Sequence, residues 1–94
     1  MGDAQMLADR LSQYMRSKGL KSTRQRDAIF EVCSSSRGHL SLDDILALAQ
    51  ERHPGLGYAT VYRTMKLLVE AGVAEERQFG DGQTRYEAAE AGED

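Results

Sequence analysis

Ninety-four residues suffice for one small domain with a modest core and one site or surface, and leave hardly any room for an enzyme cleft. The formal net charge of -3, taken alone, argues against a nucleic-acid partner, because binding to phosphates needs local positive potential. No apolar run approaches the roughly 20 residues of a membrane span, and the start of the chain holds acids but no continuous apolar block, so neither a membrane anchor nor a signal peptide is expected and the location reads as cytoplasmic.

Leu7, Leu11, Tyr14 and Met15 recur at helical spacing from about Ala4 to Lys18, and Gly19 stops the run. A second helix begins at Thr23, a natural N-cap, and presents Ile29, Val32 and Cys33 on one side until the serines at 34–36 break it. Cys33 therefore points inward as a structural thiol. It is the single cysteine, which excludes an internal disulfide and a paired-cysteine zinc site and agrees with a reducing compartment.

Ser41-Leu-Asp-Asp44 has the form of a capping box, and Leu42, Ile45, Leu46 and Ala49 follow at i, i+3, i+4 and i+7, predicting a third helix to about Arg52. His53-Pro54-Gly55-Leu56-Gly57 must turn the chain, with His53 helping to end that helix. The fourth helix spans 58–72. One side carries Tyr58, Val61, Met65, Leu68 and Val69, an ordinary buried stripe, and Gly72 stands in the place of a C-terminal cap. The other side carries Ala59, Tyr62, Arg63 and Lys66. Two cations and a phenol on one ridge, beginning with a small residue, fit a major groove: Arg bonds guanine edges or phosphate, and Tyr packs on a thymine methyl. A solvated helix face is the alternative reading.

Beyond Gly72 the period changes. Two short runs, 73–79 and 83–88, flank Gly80-Asp81-Gly82, the composition of a tight hairpin. Residues 89–94 are small and acidic. Three helices, a hairpin and a leading helix predict an α+β, mainly α, winged helix-turn-helix: an N-terminal helix over 1–20, a helical core over 21–72 and a wing over 73–88. In such a fold the third helix crosses the DNA backbone and the fourth enters the major groove.

The distribution of charge reverses what its sum suggests. Residues 1–69 hold 10 Lys+Arg against 7 Asp+Glu, whereas 70–94 hold 2 against 8. The acidity belongs to the last quarter. Arg10, Arg16, Lys18, Lys21, Arg24 and Arg26 fall in a stretch without a single Asp or Glu, although this block also has a solvated-face reading.

Leu20-Lys-Ser-Thr-Arg-Gln-Arg26, Gly38-His-Leu-Ser41, Ala59-Thr-Val-Tyr-Arg63, Glu70-Ala-Gly72 and Arg85-Tyr-Glu87 together resemble the successive landmarks of the ferric uptake regulator family of bacterial metal-responsive repressors. The resemblance covers about residues 15 to 88, and Ala-Thr-Val-Tyr-Arg is its most specific part. It implies a DNA-binding winged helix here, residues 89–94 as the start of a linker, and a separate dimerisation domain beyond it. Tyr62 and Arg63 match the family's major-groove contacts, with Ala59 and Thr60 beside them; Thr60, on the shoulder of the ridge, suits a phosphate. Lys21 matches a basic residue that reaches an A·T-rich minor groove, and Arg26 a backbone-contacting arginine. A proline common in the family between Thr23 and Arg26 is replaced here by Arg24-Gln25, which removes a local helix preference and no contact.

His39 and Glu87 match the ligands that the family's first domain contributes to its regulatory metal site. The resemblance implies iron, manganese or zinc in the full-length regulator and no metal held by this segment alone, where an exposed loop histidine and a strand-end carboxylate are the plainer description. It implies double-stranded DNA as partner, a full-length homodimer on an A·T-rich palindrome, a monomeric or weakly dimeric fragment, and neither a membrane nor a small-molecule substrate. A winged-helix module that binds protein instead of DNA is the runner-up. An enzyme would have only His39, Ser41, His53 and Glu87 as raw material, from separate loops without nucleophile-and-base spacing.

Overall fold

In the computed structural model, which describes residues 3–36 and 38–89, the chain forms α1 (Asp3–Ser17), α2 (Arg24–Ser35), α3 (Leu42–Gln50), α4 (Tyr58–Glu70), β1 (Ala74–Gln78) and β2 (Thr84–Ala88). This is the mainly helical winged helix-turn-helix expected. The boundaries follow from local chemistry. Thr23 Oγ1 accepts from the Arg26 amide at 3.0 Å to start α2, and Ser41 and Asp44 close the reciprocal capping box, each bond 3.1 Å long, to start α3.

The third helix ends at Gln50, two residues short of the expected Arg52, because Glu51 and Arg52 continue only as a turn. Gln50 Nε2 then donates to the Leu56 carbonyl at 2.9 Å and ties the turn to the helix it leaves. Leu56 is buried. The helix-turn-helix angle is thereby set by one apolar anchor and one side-chain bond.

At the end of α4, Gly72 has φ of 81°. Its amide donates to the Val69 carbonyl at 3.0 Å and the Val73 amide to that of Leu68, also at 3.0 Å. These two bonds make a Schellman motif, which needs a left-handed residue at the position of Gly72. Gly72→Ala is expected to destabilise the fold by about 1 kcal/mol through backbone strain alone, since an added Cβ would meet nothing closer than Arg10 Cδ at 3.6 Å. Equal denaturant midpoints for the two proteins would contradict this.

The core lies where α2, α3 and α4 converge under the wing. Ile29, Ile45, Val61, Met65, Leu68 and Val73 are its largest fully buried side chains, and Leu7, Leu11 and Met15 bring α1 onto it. Cys33 is buried as expected, and desolvation pushes its thiol up to about 11, which keeps it protonated and unreactive at neutral pH. The wing is antiparallel, with Glu75 opposite Glu87 and Arg77 opposite Arg85. Leu40 bridges to Tyr86 in both directions at 2.8 Å, so the stretch before α3 lies against β2 like a rudimentary third strand.

One element of the buried stripe is corrected. Tyr58 is 52% exposed: it is the first residue of α4 and lines an open cleft with Leu42, Asp43 and Thr84 instead of packing with the buried Leu56 and Val61. Thr64 is buried in its place. Among the described residues no helix is long and apolar enough to cross a membrane. The acidic residues 90–94 lie outside the described residues.

Candidate nucleic-acid interface and metal-ligand pair

The outward side of α4 carries the four residues read from the helical wheel. Ala59, Tyr62, Arg63 and Lys66 are all exposed, Tyr62 at 42%. Lys66 Nζ lies 5.6 Å from the centre of the Tyr62 ring, a cation–π approach that lines the two up along the ridge. Thr60 is half-buried at its shoulder. Gly57 offers no side chain to cap the helix, and its first turn holds no acid, so the positive end of the helix dipole is left without an internal anion.

Beside this ridge runs an open groove of about 490 Å³, whose walls include the N-cap Thr23, Gln25 and Arg26 from α2, and Thr60, Arg63 and Lys66 from α4. Arg26 is held in place by donating from Nη1 to the Lys21 carbonyl at 2.6 Å. That bond ties the backbone of the exposed Lys21, before α2, to a residue that lines the groove. Glu70, at the far end, is the one acid in the lining. Its Oε1 accepts from the Tyr14 hydroxyl at 2.9 Å, a bond that raises the Tyr14 pKa and draws the carboxylate toward α1.

Ion pairing sorts the cations. Arg52, Arg77 and Arg85 are bonded to Glu31, Glu87 with Glu75, and Asp81 respectively. Among the described residues Arg16, Lys18, Lys21, Arg24, Arg63 and Lys66 have no such partner. These six belong to the two groups named from the sequence, whose remaining members, Arg10 and Arg26, donate to backbone carbonyls and form no ion pair either, and the six lie on the exposed faces of α4 and of the α1–α2 junction.

A second cluster lies on the wing. His39 Nε2 and Glu87 Oε1 are 3.1 Å apart, so two residues 48 positions apart in sequence meet. The Leu40–Tyr86 bridge places them side by side. The exposed loop histidine and the carboxylate near the end of β2 thus stand in contact. The Phe79 ring stands edge-on to His39 at 5.1 Å, and Arg77 Nε donates to Glu87 Oε2 at 2.7 Å. No pattern in the sequence singles out either neighbour, since their roles depend on strand register.

The sequence matches the family model of the Ferric uptake regulator family over residues 17–94. The chain belongs to that family. It is 40% identical over 85 residues to the ferric uptake regulation protein of Bacillus subtilis, covering 89% of this chain and 57% of that protein. It is 32% identical over 73 residues to the peroxide operon regulator of the same organism, covering 78% and 50%. The Helicobacter pylori ferric uptake regulator superposes with a TM-score of 0.86 over 96% of this chain and 60% of that one, and at 23% identity this likeness shows the fold.

The chain thus spans half to three-fifths of the length of the relatives it matches. Members of the ferric uptake regulator family are metal-responsive transcription regulators, and their N-terminal domain binds DNA. This chain is a domain-sized counterpart of that part. The family's full-length members use iron, manganese or zinc and act as dimers. Against that background the His39–Glu87 pair can be tested as a ligand set. An imidazole nitrogen and a carboxylate oxygen each about 2.1 Å from one ion sit about 3.0 Å apart in an octahedral shell and about 3.4 Å apart in a tetrahedral one; the observed 3.1 Å is compatible with either after a small shift, and is equally the length of a direct His–carboxylate contact. Among the described residues no group of three His, Cys, Asp or Glu is assembled, so the pair is at most part of a site.

Proposed function

We propose that this chain is the DNA-reading unit of a metal-dependent repressor. α4 enters the major groove of an A·T-rich palindromic operator, with Tyr62 and Arg63 on base edges, Ala59 permitting close approach, and Lys66 and Thr60 at phosphates. Arg26 holds the backbone across the groove between α2 and α4, and Lys21 reaches the adjacent minor groove. The observation that carries this reading is the face of α4 on which Tyr62, Arg63 and Lys66 stand exposed while the described residues offer the two cations no ion pair. Unneutralised cations on a rigid helix are what a polyanion binds, whereas a surface for an apolar partner would not place charge at its centre.

In the whole regulator, His39 and Glu87 supply two donors of a regulatory site, and the remaining ligands come from a dimerisation domain. When bound, a divalent ion supplies a charged bridge between the two domains. Through His39 and Glu87 the wing would then couple metal occupancy to the position of α4 relative to the partner protomer, in whichever arrangement these ligands hold the ion more tightly.

The direct test starts from a randomised duplex pool. Sequences retained by this chain are recovered, then titrated against a scrambled duplex at several salt concentrations. Preferential binding to an A·T-rich half-site is expected, with log K falling linearly in log salt by about 0.9 per phosphate engaged. Equal affinity for both duplexes would sink the base-reading assignment. Failure to bind either at low salt, together with capture of a protein partner, would establish the protein-interaction reading instead.

A further inference from the structure

Glu87 has two carboxylate oxygens, and the structure gives them different neighbours. Oε1 faces His39 Nε2 at 3.1 Å. Oε2 accepts from Arg77 Nε at 2.7 Å. Arg77 is in turn held by Glu75 Oε1, which accepts from Nη2 at 2.8 Å. The arrangement follows from register: Glu75 and Glu87 are directly opposed across the two strands, a like-charge pairing that is unfavourable by itself. The guanidinium of Arg77 bonds both and relieves the repulsion. Because its fork is rigid and planar, it also fixes the rotation of the Glu87 carboxylate as an ammonium would not.

We propose that Arg77 is a positioning residue for metal capture: by occupying Oε2 it aims Oε1 at His39 and restricts Glu87 to one-oxygen ligation. This inference rests on the reading of His39 and Glu87 as metal ligands. Ligating carboxylates are commonly oriented by an outer hydrogen-bond donor, and here the donor lies on the strand opposite the ligand, with its own charge balanced by Glu75. Phe79 performs the corresponding task for the imidazole by holding its ring edge-on. A simple electrostatic view predicts the reverse role for Arg77, since a cation next to a metal site repels the metal. The sign of one substitution therefore separates the two.

The test is a Zn(II) titration of this chain followed through the His39 imidazole resonances by NMR. Arg77→Ala is expected to weaken zinc binding by about tenfold, although it makes the site more negative. Arg77→Lys, which keeps the charge between Glu75 and Glu87 and loses the fork, should fall between wild type and alanine; it keeps the test valid if the alanine variant loosens the wing. Glu87→Gln should weaken binding, and adding Arg77→Ala to it should change nothing more, because the arginine acts only through that carboxylate. Unchanged or tighter binding in Arg77→Ala, or additive losses in the double variant, would overturn the inference while leaving the ligand pair intact. Two donors without the ligands of a second domain hold zinc only weakly, so the titration is carried to about millimolar zinc; a wild-type His39 signal still indifferent there would overturn both.

Discussion

Arg63→Ala is expected to lower the preference for a selected duplex over a scrambled one by roughly 1 to 3 kcal/mol, about 5- to 150-fold, at fixed salt. The size follows from where the residue sits. Arg63 projects from the middle of the exposed face of α4 and lines the groove, and none of the described ion pairs engages it, so its guanidinium is available for a two-point bond to a base edge. Lys66→Ala, on the same face, should behave differently. It should weaken both duplexes about equally and reduce the salt slope by about one ion. If Arg63→Ala weakened both duplexes equally, Arg63 would be a phosphate contact and base reading would have to lie elsewhere. Circular dichroism should be unchanged in both variants, because neither side chain touches the core.

Met65→Ala should have the largest effect on stability. Met65 is wholly buried on the side of α4 opposite the ridge, and removing its side chain leaves a cavity that the surrounding Ile45, Val61 and Leu68 can only partly close. A loss of roughly 2 to 5 kcal/mol is expected. A domain of this size has about 5 to 14 kcal/mol in total, and each kcal/mol lowers the melting temperature by about 4 to 8 °C. A drop of ten degrees or more should therefore be visible in thermal unfolding. Leu48→Ala, at a position 39% exposed, should shift it by a fraction of that. A melting curve for Met65→Ala within two degrees of wild type would mean that the core does not lie where α4 meets α2 and α3.

Arg63 and Met65 are near neighbours in the chain with opposite roles, and the local pattern is enough to separate them. Periodicity assigns Met65 to the interior and Arg63 to solvent, and the structure agrees. The capping chemistry of Thr23, Ser41 with Asp44, and Gly72 is equally legible, because a cap is decided within a few residues of itself. Those signals, with the Gly80-Asp81-Gly82 turn, are sufficient for the winged helix-turn-helix.

What failed or stayed open depended on contacts between distant segments. The wheel placed Tyr58 with the buried stripe, yet the core takes up Leu56 and Val61 on either side of it and leaves Tyr58 uncovered, and no local pattern records where a neighbouring element stops. Arg10 donating to the Gly72 carbonyl at 2.7 Å and Tyr14 to Glu70 join α1 to the end of α4, across about sixty residues. The resemblance named His39 and Glu87 one by one. Their meeting was decided by the Leu40–Tyr86 bridge, and the orientation of Glu87 by a strand register that puts Arg77 diagonally across from it. By itself, then, the sequence determined the helices, their caps, the hairpin and the charged face of α4, since each is a matter of short-range periodicity and backbone preference. The edge of the core, the docking of α1 and the joining of the ligand pair were left to tertiary structure, because burial and pairing are properties of two segments at once.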